Sequence, residues 1–171
     1  ESTYGDRTHD PEDPRIKLGE VIRRTAERGG VVLIPSFAVG RSQELLLYLH
    51  RMKEDGEIPK SIPVFLNSPM AVDATHIYNA HHREHRLTHM ECKAMCNAAT
   101  FINSPEESRA LNDRKGPMII IAASGMATGG RVVHHIRAFG PDPRNTILFS
   151  GFQAGGTRGA AILAGAESVK I

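Results

Sequence analysis

Short apolar runs and longer amphipathic stretches take turns along this chain. VVLIP (31–35) is wholly apolar and five residues long, the pattern of a strand buried on both faces. IPVFLN (62–67), ATFIN (99–103), PMIIIA (117–122), TILFS (146–150) and SVKI (168–171) read as further strands. Stretches with helical periodicity lie between them. Residues 15–28 place Ile16, Gly19/Glu20 and Ile22/Arg23 around a helix that Gly29-Gly30 ends. Residues 40–56 put Leu45, Leu46, Leu49 and Met52 on one side, with Gly56 as the stop. A Ser-Pro pair opens a helix at Ser68. Ser104 followed by Glu107 is a capping box for SPEESRALN (104–112). GRVVHHIRAF (130–139) and TRGAAILAG (157–165) supply two more helices. Strand and helix alternating with short connections predict an α/β fold: a Rossmann-like, doubly wound, mainly parallel sheet with helices on both faces. No repeat or linker divides it, so one domain is expected.

In such a sheet, ligands approach the carboxyl ends of the strands. The segments following five predicted strands are SFAVGRSQE, SPMAVD, SPEES, ASGMATGGR and GFQAGGTRG. Three of them combine small hydroxyls, glycines and an arginine, at Arg41, Arg131 and Arg158. Exposed backbone N–H groups and small donors at helix starts are the ingredients of an anion site. The glycines of AASGMATGGRVVHH (122–135) equally suit a plain strand-to-helix turn. The stretch lacks the GK[ST] of a P-loop and the GxGxxG spacing of a dinucleotide fingerprint. Paired His134 and His135 point about 100° apart on a helix and cannot serve one site; the one facing the loop could touch a phosphate.

Composition narrows the function classes. The 171 residues carry a formal charge of +2, which neither demands nor excludes a polyanionic partner. Aromatics are 5% with no Trp, which argues against stacking on many bases as the main binding device. No apolar run approaches 18 residues and no signal-peptide pattern opens the chain, so no membrane association and a cytoplasmic setting are expected. His85, His89, Cys92 and Cys96 read as a stripe along one helix. Eleven residues at about 1.5 Å each span roughly 16 Å, too far for four ligands on one ion; an i, i+4 pair at most could share a metal. No metal site is assigned. The chain opens at Glu1 without methionine and stops within SVKI, which predicts a piece of a longer protein.

The strings ESTYGDRTH, VLIPSFAVGRSQELL, NSPMAVDAT, SPEESRALN, IIIAASGMATGGRVVHHI and NTILFSGFQAGGTRG, in this order, resemble the β-CASP segment of metallo-β-lactamase-fold nucleases. That family includes ribonuclease J and the endonucleases that cleave pre-mRNA before polyadenylation; the likeness is greatest to the prokaryotic RNA-processing branch. The resemblance implies a β-CASP domain spanning 1–171, excised from a ribonuclease that hydrolyses RNA phosphodiesters with two zinc ions held by its metallo-β-lactamase domain. The family's HxHxDH motif is absent from this sequence, as are its later SAH- or SGH-type and HGE motifs. The chain alone is therefore expected to be inactive and to hold no cofactor. Glu1 in ESTYG would be the motif A acid, in a supporting catalytic role. The expected partners are RNA, the metallo-β-lactamase domain of the same parent chain, and a second copy through the bared face. From loop position and chemistry, the RNA- or phosphate-binding candidates are Ser36, Arg41, Ser124, Gly125, Thr128, Gly130, Arg131, Thr157 and Arg158. Two alternatives stay open: a phosphate- or nucleotide-binding Rossmann-like domain, and a protein-interaction module.

Overall fold

The structure is a computed structural model that describes residues 3–6, 8 and 11–171. Five strands form one parallel sheet: β1 (Val31–Pro35), β2 (Val64–Asn67), β3 (Thr100–Phe101), β4 (Met118–Ala122) and β5 (Thr146–Ile147). Their spatial order is β3-β2-β4-β1-β5. Seven α-helices flank it among the described residues: α1 (Pro14–Glu27), α2 (Arg41–Glu54), α3 (Pro69–Ala80), α4 (His89–Cys96), α5 (Pro105–Asn112), α6 (Arg131–Phe139) and α7 (Arg158–Leu163).

The central strands are buried at every position, so both faces of each need cover. Val32, Ile34, Val64, Leu66, Ile119 and Ile121 point to one face and pack with Leu18 and Ile22 of α1, Leu45, Leu46, Leu49 and Met52 of α2, and Met95 of α4. The alternate residues Val31, Leu33, Phe65, Met118 and Ile120 pack on the other face with Leu111 of α5 and Val132, Ile136 and Phe139 of α6. The sheet is doubly wound, as the alternation predicted. The buried stripe of α2 is the expected one. That of α1 runs through Leu18, Gly19, Ile22 and Thr25, which leaves Ile16 half exposed.

Three sequence expectations fail locally. The stretch 76–96 is not one helix: α3 stops at Ala80, a 3₁₀ turn covers His82–Glu84, and α4 starts afresh. Thr88 caps α4 and exchanges bonds with Glu91, a capping box that restarts the helix after an extended His85. SVKI forms no strand; instead the Lys170 carbonyl accepts from Arg158 Nε (2.7 Å). TILFS shortens to a strand of Thr146 and Ile147, alongside Val32 and Leu33, with Leu148 N–H donating to the Leu33 carbonyl (2.8 Å).

Gly30 sets the entry to β1 against the β5 edge. A Cβ there would run into the Arg144 carbonyl oxygen and crowd Thr25. Gly30→Ala is expected to lower stability by about 1–3 kcal/mol through overpacking, read as a fall in the urea midpoint at unchanged slope.

Candidate nucleic-acid interface

The connection after β1 leads to α2 on one face of the sheet, while those after β4 and β5 lead to α6 and α7 on the other. β1 lies between β4 and β5, so its loop parts from both neighbours and opens a crevice at the carboxyl edge, a topological switch point. A cavity of about 410 Å³ sits there. It is lined by Thr3 and Tyr4 of the amino-terminal segment, by Ser36, Phe37 and Arg41 after β1, by Gly125 after β4, and by Phe152 after β5.

The first loop is held from inside. Ser36 N–H donates to the Ala122 carbonyl (3.0 Å), tying it to β4. The Ser42 hydroxyl donates to the Phe37 carbonyl (2.7 Å) and lies 3.0 Å from Ser36 Oγ. Buried Gln43 donates to the carbonyls of Ala38 (3.1 Å) and Ala71 (3.2 Å) and accepts from Gly40 N–H (2.7 Å), which joins the loop to α3. Arg41 reaches the cavity paired with Glu44 at 2.5 Å.

The second loop is a self-contained turn. Ser124 Oγ accepts from the N–H groups of Thr128 (3.2 Å) and Gly129 (3.3 Å), and Ser124 N–H donates to the Gly129 carbonyl (3.2 Å). The Ala123–Ser124 peptide is cis. Gly130 has φ +73°, and a Cβ there would lie 2.6 Å from the Ala123 oxygen. Thr128 and Gly130 are exposed at its tip. In the third loop Thr157 caps α7, accepting from Ala160 N–H (3.2 Å). Gln153 bridges this loop to the second by donating to the Gly125 carbonyl (3.1 Å).

Of the sequence-derived candidates, Ser36, Arg41 and Gly125 come together at the cavity. Ser124, Thr128 and Gly130 belong to the adjoining turn. Two arginines serve as internal ties. Arg131 Nη1 donates to Asn67 Oδ1 (2.8 Å) and the Ile102 carbonyl (2.9 Å), and its Nη2 to the Asn103 carbonyl (2.9 Å). Arg158 donates to the Ala127 and Lys170 carbonyls. Glu1 lies outside the described residues.

A buried network behind the second loop escaped sequence reasoning. Asn67 ends β2; its Nδ2 donates to Ser108 Oγ (2.8 Å) and to His135 Nε2 (2.6 Å). His135 Nδ1 then donates to Asn112 Oδ1 (2.6 Å), which satisfies a neutral imidazole. Burial holds the His135 pKa down to about 4, with help from the nearby charges of His134 and Arg131. His135 falls on the buried stripe Val132-His135-Ile136-Phe139, a periodicity that could have separated it from exposed His134.

The His/Cys segment forms no metal centre: among the described residues no three His, Cys, Asp or Glu side chains are placed to hold an ion. His85 Nε2 lies 3.0 Å from the Tyr78 carbonyl and 3.7 Å from Cys92 Sγ. Burial raises the pKa of both thiols, which lowers their reactivity. The described residues thus do not fit the two-zinc centre that the resemblance implies for the parent. Among the described residues no helix is long and apolar enough to cross a membrane.

Residues 42–162 match the Beta-Casp domain family. The chain belongs to that family. Ribonuclease TTHA0252 of Thermus thermophilus is 38% identical over 180 residues, covering all of this chain and 41% of that protein. Transcription termination factor FttA of Methanosarcina mazei is 35% identical over 180 residues, all of this chain and 28% of its own length. An RNase J-like protein of Methanocaldococcus jannaschii is 32% identical over 175 residues, 99% of this chain and 40% of that protein. The chain thus spans well under half the length of these relatives. The Beta-Casp match takes in the second and third loops and the His135 network; Ser36, Phe37 and Arg41 lie just ahead of it.

Because His135 is neutral when folded and takes up a proton near pH 6.5 when unfolded, stability is unaffected by this group above pH 6.5. It should fall as pH drops from 6.5 towards 4, by about 3 kcal/mol in all. Urea titrations across that range should show the loss, and His135→Gln should flatten this part of the profile while lowering stability at pH 7.

Proposed function

We propose that this Beta-Casp domain is the RNA-gripping part of an RNA-processing nuclease, and that the three loops at the switch point form its grip. The observation that carries the reading is the convergence of the loops after β1, β4 and β5 on one open cavity, with Arg41 in its wall and an exposed glycine turn beside it. Parallel strands end there side by side and their loops are fixed by internal bonds, so an anionic strand can bind along a rigid edge without ordering a flexible segment. The relatives' printed names, a ribonuclease, a termination factor and an RNase J-like protein, favour RNA over a mononucleotide as the ligand.

Within this reading the candidates take three roles. Arg41, Thr128 and Gly130 face the strand directly, while buried Ser36 and Gly125 shape the cavity wall beneath the Phe37 ring. Ser124, Arg131, Thr157 and Arg158 hold the loops in position through the bonds described above, and any contact they make with phosphate is additional. The parent's cutting chemistry would belong to the metallo-β-lactamase domain that the resemblance implies, and none of the described residues takes part in it. This chain orients and restrains the strand.

The test is binding without cleavage. The chain should bind a single-stranded oligoribonucleotide at low salt, and log affinity should fall with log salt by about 0.7 for each phosphate neutralised. Arg41→Ala should weaken binding several-fold, and added zinc should produce no hydrolysis. A chain that ignores RNA at low salt, or one that cleaves it in a chelator-sensitive way, contradicts the proposal.

A further inference from the structure

Phe37 and Phe152 are the two of the chain's six phenylalanines that stay exposed, at 49% and 37%, and both line the switch-point cavity. The Phe37 ring is not a loose loop side chain. Its carbonyl is fixed by the Ser42 hydroxyl, and its ring covers Gly125, where a Cβ would lie 2.7 Å from the ring edge. Gly125 thus lets the ring edge sit against the second loop while about half of the side chain meets solvent. On the third loop, the Phe152 N–H donates to the Tyr4 hydroxyl (2.9 Å).

The charges in the cavity suit a phosphate poorly. Arg41 is neutralised by Glu44 at 2.5 Å, and Glu44 itself lines the cavity, so a phosphate entering would meet a carboxylate. A nucleobase meets none of that repulsion. It offers a π-face to the ring, carbonyl or ring-nitrogen acceptors to the guanidinium, and exocyclic amino donors to the carboxylate. The volume of about 410 Å³ lies in the range of small-ligand sites.

We propose that this cavity takes one nucleobase of a single-stranded RNA, its face on Phe37 and its polar edge towards Arg41 and Glu44. The phosphates on either side then run over the exposed turn at Thr128 and Gly130. The proposal rests on the RNA-gripping reading above and adds which part of the strand enters the cavity. Glu44 as acceptor can take the amino groups of adenine, cytosine or guanine, or the ring N–H of uracil.

Fluorescence anisotropy with two labelled probes separates the two claims: a single-stranded oligoribonucleotide, and an abasic strand of the same length and charge. The chain should hold the base-bearing strand about tenfold more tightly than the abasic one. Phe37→Ala and Phe37→Leu should each remove most of that advantage and leave abasic binding unchanged. The leucine variant keeps apolar cover over Gly125, so the result does not hang on the folding of the alanine variant. Equal affinity for both probes, unchanged by either substitution, overturns the base site while sparing the RNA grip. Failure to bind either probe sinks both. If size-exclusion chromatography shows self-association that Phe37→Leu abolishes with RNA affinity intact, the ring belongs to a protein contact and the base site is wrong.

Discussion

Five consecutive residue pairs, from Val31 with Met118 to Pro35 with Ala122, lock β1 against β4 in parallel register. Because both strands run the same way, their loops emerge at one edge; because α2 and α6 pack on opposite faces, those loops must diverge. The cavity is the gap this divergence leaves. The β5 pairing through Thr146 and Ile147 brings the third loop to the same edge. Everything assigned to function here depends on this arrangement of three adjacent parallel strands, two of which send their chain to the face opposite the third.

The loops at that edge spend much of their chemistry on themselves. Ser42 and Gln43 serve the backbone of the first loop, Ser124 closes the second, and Thr157 caps the helix after the third. Arg131 reaches back across the sheet to β2 and β3, where Asn67 and His135 continue the chain of bonds into α5. Such a network is stabilising only while each member is satisfied, which requires His135 to stay neutral. What remains for a ligand is a pre-shaped rim: the turn at Thr128 and Gly130, the Arg41–Glu44 pair and the Phe37 ring. A rim fixed by internal bonds loses little freedom when it binds, so modest contacts count for more.

The layered fold was legible because a buried parallel strand and an amphipathic helix leave different periodicities, and α2, α5 and β4 appear where those periods fall. Strand length at the margins was not. Thr146 and Ile147 pair only with β1, and SVKI, despite its β propensity, lies near Ile147 without adding to the sheet. The break before α4 was written in Thr88 and Glu91, a signal that the His/Cys spacing overshadowed. At the site, residue type showed which loops mattered but not which atoms are free. Arg41 and Arg131 look alike in sequence, yet one lines the cavity and the other is bound to Asn67 and two carbonyls. That distinction depends on residues more than 25 positions away, which local pattern cannot supply. Composition counts six phenylalanines without showing that Phe37 and Phe152 stay exposed at one cavity.

The most direct measurement is hydrogen–deuterium exchange of the chain with and without a single-stranded oligoribonucleotide. The account predicts that RNA slows exchange in the segments 36–41, 124–130 and 150–153 together, since they form one edge. Protection confined to the His-rich segment 81–89, or spread over α1 with those three segments unchanged, would contradict it.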